Sequence, residues 1–322
     1  MSAAVCLGEA LVDFVADVSG VSLIECPGFR KAPGGAPANV AVGLARLGVQ
    51  SAFLGKVGED PFGHFLEQTF AAAGVDTRWV RFDPSARTGL AFVSLQSNGE
   101  RDFVFYRNPS ADMLYRPDEI PDEALAGCQL YHFGSITLIQ DPSRTATLDA
   151  AERARQEGAL ISYDPNLRTP LWPDLATARQ EILAALPMAD LVKVSEDEAE
   201  FLYGPGSPAE HAERLLQSGP RLVALTRGAA GCYLVTPQCA VEVPGFCVDV
   251  VDTTGAGDGF VAGMLAGLLD VGGLDALTPI SLAEIGRFAN AVGALTCRGK
   301  GAIPALPDAA TVRAFLNRQS AP

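Results

Sequence analysis

Apolar runs of strand length alternate with helical patterns along most of the chain. AVCLGEALVDF, near the start, reads as a strand. APANVAVGLARLG then places Val40, Leu44 and Leu47 on one helical face and stops at Gly48. SAFLGKVG reads as a strand and PFGHFLEQTFAAAG as a helix. CQLYHFG, ALISYDP, ADLVKVS and RLVALTRG look like buried strands, with helices such as DPSRTATLDAAERARQEG between them. This alternation predicts an α/β fold in which a parallel sheet is covered by helices on both faces.

Two regions break the rhythm. Residues about 11–33 and 78–110 are extended segments with little helical pattern. TGLAFVSLQSNGERDFVFYR reads as a hairpin around Asn98-Gly99. Such pieces do not fit a doubly wound sheet in sequence order, so they are assigned to a small β-sheet lid over one end of the main domain. The chain shows no linker rich in proline, glycine and serine, no low-complexity tract and no internal repeat. A single domain over 1–322 with an inserted lid is therefore expected.

Composition narrows the class. The 322 residues are 48% hydrophobic and 19% charged, a globular balance that permits a sizeable core. No run of about 18 uninterrupted apolar residues appears, which argues against a membrane span. The N-terminal apolar run has no basic region ahead of it and contains Glu9 and Asp13, so it reads as a strand rather than a secretory signal. The formal net charge of −14 argues against a nucleic-acid surface. It leaves a nucleotide substrate open, because a small anion feels local donors and metal ions. The seven cysteines are scattered, odd in number and without a CxxC, as free thiols of a cytoplasmic, reducing compartment are.

The chemistry is concentrated in VVDTTGAGDGFVAG, residues 250–263. Val248, Val250 and Val251 read as a strand, and FVAGMLAGLL as a helix. Gly255-Ala256-Gly257 then falls at a helix N-terminus, where unpaired N–H groups point outward and the dipole favours negative charge. Glycine lets a phosphate come close to the backbone, so this turn reads as an anion hole. Asp258, in the first helical turn, either interacts with the dipole or acts as a base beside a transferring phosphoryl group.

Rival motifs are missing. There is no G-x-x-x-x-G-K-S/T, since CRGKGA lacks the spacing and the hydroxyl, and no G-x-G-x-x-G after the first strand. His64, His132 and His211 make no zinc pattern. No G-x-S-x-G supports a serine nucleophile, although FGSIT carries a serine after a strand. A second cluster, KAPGGAPANVAVG, sets Gly34-Gly35 before a helix that Pro37 opens, with Asn39 in its first turn. It is either a tight strand-to-helix turn or a place where a polyhydroxylated ligand touches the backbone and bonds to Asn39. Asp13 can accept from two neighbouring hydroxyls.

PGGAPANVAVGLARLG and VDTTGAGDGFVAG together resemble the two signatures of the ribokinase-type (PfkB) sugar kinases. FYRNPSADMLY, SYDPNLRTPLWP and RGKGAIPALP make the chain most similar to plant-type fructokinases within that family, from about residue 5 to about residue 307. The resemblance implies a three-layer α/β/α ribokinase-like domain with a lid. It implies transfer of the ATP γ-phosphate to a sugar hydroxymethyl group, with Mg2+ and a monovalent cation such as K+. Asp258 matches the catalytic base. Gly255, Ala256 and Gly257, with the Asp258 N–H, match the anion hole, and Arg168 a basic residue near the phosphoryl path. Asp164 and Asn166 are structural or orient it. Asp13, Gly34, Gly35 and Asn39 match the sugar floor; Phe105 and Arg107 match lid positions over the sugar. Thr226, Gly228 and Gly231 match the nucleotide-side loop and Asn290 the adenine wall. Asp252 and Thr254 match the monovalent-cation ligands. One departure stands out: where the wider family has N-x-x-E, this chain has Ser195 in place of asparagine while Glu198 remains in the magnesium region.

Three functions follow as expectations: a fructokinase; a kinase for another sugar or sugar acid, such as 2-keto-3-deoxygluconate or ribose, for which Arg107 can supply the extra cation; and a catalytically dead binder, which the intact Asp258 and glycine turn speak against. The resemblance also implies a homodimer of interlocking lids, since lone lid strands would expose apolar edges. No nucleic-acid or membrane partner is expected.

Overall fold

The computed structural model describes residues 2–18, 20–95 and 101–319. Its strands, in chain order, are β1 (Ala4–Leu7), β2 (Leu11–Ala16), β3 (Phe29–Gly34), β4 (Ser51–Gly58), β5 (Val80–Asp83), β6 (Gly89–Leu95) and β7 (Arg101–Tyr106). They continue as β8 (Leu130–Gly134), β9 (Leu160–Asp164), β10 (Leu191–Ser195), β11 (Leu222–Thr226), β12 (Cys232–Val235) and β13 (Ala240–Val243). Nine form the central sheet, in the order β13-β12-β11-β10-β9-β8-β1-β4-β5. From β11 to β5 neighbours run parallel; β12 and β13 add antiparallel at one edge.

The main helices are α1 (Ala36–Arg46), α2 (Pro61–Ala72), α3 (Ser143–Gln156), α4 (Leu175–Ala185), α5 (Glu196–Tyr203), α6 (Pro208–Gln217), α7 (Ala256–Asp270) and α8 (Pro279–Thr296). Strand residues alternate between two cores, as the two-residue period of a strand requires. Ala4, Cys6 and Phe53 pack with Val40, Leu44, Leu66, Met264 and Leu282 of α1, α2, α7 and α8. Val5, Leu7 and Leu54 pack with Ala146, Ala150, Ile182 and Leu215 of α3, α4 and α6. The result is the expected three-layer arrangement. α1 and α7 approach very closely: a Cβ built on Gly43 would stand 2.6 Å from that of Ala262.

The lid is a separate four-stranded sheet in the order β3-β2-β6-β7. Its register aligns Ala32, Asp13, Ala91 and Phe105 in one row, so Asp13 and Phe105 share a face.

Three sequence expectations change. AVCLGEALVDF is two strands in different sheets, broken over residues 8–10, where Gly8 lies so close to Pro37 that a Cβ would be 2.3 Å from its ring. Apolar residues resume at Leu11 straight after the break, which is why the pattern hides it. β5 falls inside the segment assigned to the lid but pairs with β4 of the central sheet. Val248, Val250 and Val251 form no strand; they lie in a loop after β13, with Val250 and Val251 exposed. The Asn98-Gly99 turn lies outside the described residues, while β6 and β7 on either side of it pair antiparallel.

Candidate active site

Two helix N-termini meet at the site. α7 starts after Gly255, which has φ 79° and supplies no side-chain cap. A Cβ there would stand 2.5 Å from that of Ala302. Among the described residues, neither the Gly257 N–H nor the Asp258 N–H has an acceptor. These are the orphan donors that a helix start offers to an anion. α1 starts after Gly35, which has φ 114° and whose Cβ would be 2.2 Å from the Glu9 carbonyl oxygen. Here the Ala36 N–H donates to the Glu9 carboxylate at 2.8 Å, and Pro37 has no N–H to offer.

Asp258 sits where these ends converge. Asn39 donates to one carboxylate oxygen at 2.7 Å and Asn166 to the other at 3.2 Å. The side chain is buried, and burial raises its pKa. The Asn39 bond and the charges of Arg168 and Lys193 oppose that rise. Asn166 takes φ 43°, the single positive value at a non-glycine among the described residues. Its strained backbone aims the amide at Asp258. Asp13 is pushed up to about 7 by burial, with Asp252 and Asp258 adding to the rise and Arg168 opposing it. Its carboxylate lies against Gly34, where a Cβ would be 2.5 Å away. Asp13, Asp258 and the exposed Arg168 thus face a common space.

Lys193 was not singled out from the sequence. Its Nζ lies 3.2 Å from Asp164 and 3.9 Å from Glu198. It also stands 3.3 Å from where a Gly257 Cβ would be. Burial disfavours its charge, but Asp164, Glu198 and Asp258 outweigh that and raise its pKa. Asn166, Arg168, Lys193, Ser195 and Glu198 line one cleft of about 400 Å³.

Ser195 and Glu198 also have a structural job. Ser195 caps α5, and its hydroxyl accepts from the Glu198 N–H at 3.2 Å. One Glu198 oxygen accepts from the Ser195 N–H and hydroxyl; the other accepts from the Leu167 N–H at 2.8 Å. This is a capping box that also ties down the Asn166–Arg168 loop. Glu198 is partly buried and bonded rather than a fully solvated acid of the helix start. Glu196 and Asp197 are the exposed ones. Among the described residues, no three His, Cys, Asp or Glu side chains form a metal-binding group.

The other expected residues lie on several different elements. Thr226 pairs in register with Ser195 at the ends of β11 and β10. Gly228 and Gly231 have φ 52° and 99° and bracket a short 3-10 turn. Asn290 is buried and donates to the carbonyls of Val243 and Pro244, so it straps α8 to the end of β13. One Asp252 oxygen accepts from the Thr254 N–H and hydroxyl, and the other from the Gly301 N–H. Phe105 is half-buried on the Asp13 face of the lid. Arg107 does not reach into open space. It is buried and ion-paired with buried Asp112, which also accepts from the Ser110 hydroxyl, and Glu9 is a further acidic neighbour.

Known proteins share this architecture. The chain matches the pfkB family carbohydrate kinases over residues 1–309. It is 49% identical to a probable fructokinase-4 of Arabidopsis thaliana, over 97% of this chain and 96% of that one. Among solved structures, a fructokinase with bound ATP from Xylella fastidiosa superposes with a TM-score of 0.91 at 35% identity, covering 100% of both chains. A double-mutant fructokinase from Vibrio cholerae O395, in fructose, ADP and potassium ion bound form, superposes with a TM-score of 0.89 at 38% identity, covering 98% of each. With a family match over nearly its whole length and close relatives spanning it end to end, the chain belongs to the pfkB family of carbohydrate kinases.

Proposed function

We propose that this protein transfers the γ-phosphoryl group of ATP to D-fructose, giving D-fructose 6-phosphate and ADP. One observation carries the reading: Asp258, gripped by two side-chain amides, lies in the first turn of a helix whose Gly257 and Asp258 N–H groups are open. The hydroxymethyl group of the sugar gives its proton to the Asp258 carboxylate as its oxygen bonds to phosphorus and the bond to ADP breaks. The open N–H groups and the dipole of α7 receive the charge on the phosphoryl oxygens. Asp13 and Asn39 hold the sugar hydroxyls against the Gly34-Gly35 turn. The lid excludes water, which limits loss of ATP to hydrolysis.

The family's fructokinases support fructose as acceptor and ATP as donor. The paired Arg107 supports a neutral sugar over an acid. A carboxylate substrate needs an uncommitted cation, and this guanidinium is held by Asp112.

Magnesium, when bound, neutralises charge on the phosphate oxygens. Glu198 would border the metal's water shell, since its Leu167-bonded oxygen accepts a single hydrogen bond and keeps a lone pair. Asp252 and Thr254 supply a carboxylate and a hydroxyl to a monovalent-cation loop beside α7. Thr226, Gly228 and Gly231 border the nucleotide, with Asn290 behind the adenine. Exposed Val15, Val104 and Tyr106 on the lid support its pairing in a homodimer. No described helix is long and apolar enough to cross a membrane, and all seven cysteines are unpaired, which suits a reducing, cytoplasmic setting.

The test is ATP consumption with magnesium and potassium across fructose, glucose, ribose, 2-keto-3-deoxygluconate and adenosine. Turnover strongest on fructose, with fructose 6-phosphate as product, is the expected result. Preference for another acceptor overturns the substrate and leaves the role of Asp258 to be tested with that acceptor.

A further inference from the structure

Lys193 is out of place by the logic of its own strand. Val192 and Val194 point into one core, and Leu191 into the other. Position 193 should therefore be apolar. A buried ammonium is costly unless it is well paired. Here it is 7% exposed and meets an excess of acid: both oxygens of Asp164 at 3.2 and 3.3 Å, Glu198 at 3.9 Å, and the charge of Asp258.

Pairing with Asp164 at the end of β9 does not by itself require a cation that also touches α7. This one sits at the open start of α7, against Gly257, and lines the cleft that Arg168 also borders. Four carboxylates crowd the region (Asp13, Asp164, Glu198 and Asp258), so an approaching triphosphate meets repulsion unless fixed positive charge stands in its way. Arg168 is exposed. Lys193 is the cation whose place is fixed by burial and two acids.

We infer that Lys193 is a further catalytic residue: its ammonium, held by Asp164 and Glu198 beside the Gly257 turn, contacts the transferring phosphoryl group and stabilises its charge. This rests on the kinase reading above but not on which sugar is used. The rival role is a purely structural ion pair with Asp164.

The test compares Lys193→Met, Asp164→Asn and the double variant with wild type. Isothermal calorimetry with a non-hydrolysable ATP analogue and with ADP reads the γ-phosphate contact directly, without turnover. Lys193→Met is expected to weaken the analogue about tenfold while ADP changes little. Its kcat on the best acceptor of the panel should fall by about 10²–10³, the range for loss of a donor to a developing oxyanion. The sugar KM should stay within about threefold. The double variant removes both buried charges, so its melting temperature should recover while kcat stays low. Equal losses for the analogue and ADP, or recovery of kcat in the double variant, overturn the inference. Failure on fructose alone overturns only the substrate.

Discussion

The starts of α1 and α7 are built alike and used differently. Each follows a left-handed glycine packed too tightly for a side chain, and each points its dipole at the same space. α1 is largely closed from within: Glu9 takes the first N–H and Pro37 deletes the second, which leaves only that of Ala38. α7 is left open at Gly257 and Asp258. A helix start is not by itself an anion site; what matters is whether the chain has already filled it. In this molecule the more filled end carries Asn39 and the open end carries Asp258, and the two side chains meet in one hydrogen bond.

The sharpest break comes from the open end. Asp258→Asn keeps the shape and removes the base, and kcat is expected to fall by about 10²–10⁴ while the ATP analogue still binds. Steady-state kinetics with calorimetry checks both halves. A loss of only a few-fold would sink the assignment.

Next comes the bridge between the two ends. Asn39→Ala deletes the 2.7 Å bond that favours ionised Asp258. The raised pKa of Asp258 should rise further, so the acid limb of kcat/KM moves to higher pH. An effect of about tenfold near neutrality that shrinks as pH rises is expected. A loss independent of pH would show that Asn39 acts on the sugar alone.

The smallest effect belongs to the closed end. Burial pushes Glu9 up to about 7 from 4.5, despite the Ala36 N–H and the nearby Arg107, with Asp112 adding to the rise. The folded state therefore holds a proton that the unfolded chain releases, and stability falls as pH climbs from about 4.5 to 7. Glu9→Gln should raise the melting temperature by a few degrees at pH 8 and change nothing at pH 4, where both states are protonated. Calorimetric melts at the two pH values decide it.

Much of this was legible because periodicity and small-residue turns are local. The helix at Ala36, the turn before α7 and the position of Asp258 follow from them. The split between β1 and β2 was not legible, since Gly8, Glu9 and Ala10 interrupt the apolar run only briefly. Nor was the fate of Arg107, because pairing with Asp112 depends on the turn at Ser110. Lys193 left a trace: one cation inside LVKVS, a run otherwise fit for burial on both faces. The Ser195-x-x-Glu198 spacing is legible as a capping box as well as a family metal motif, because the two share the same three-residue step.

Gly43 lies one turn past Asn39, and Ala262 one turn past Asp258. Where these two meet, α1 and α7 leave no room for a side chain on Gly43. The contact works as a gauge block. A single added methyl at residue 43 would act as a shim, prising the amide from the carboxylate without altering either. The tolerance of the reaction centre is thus set by an atom that is missing, one helical turn behind the chemistry.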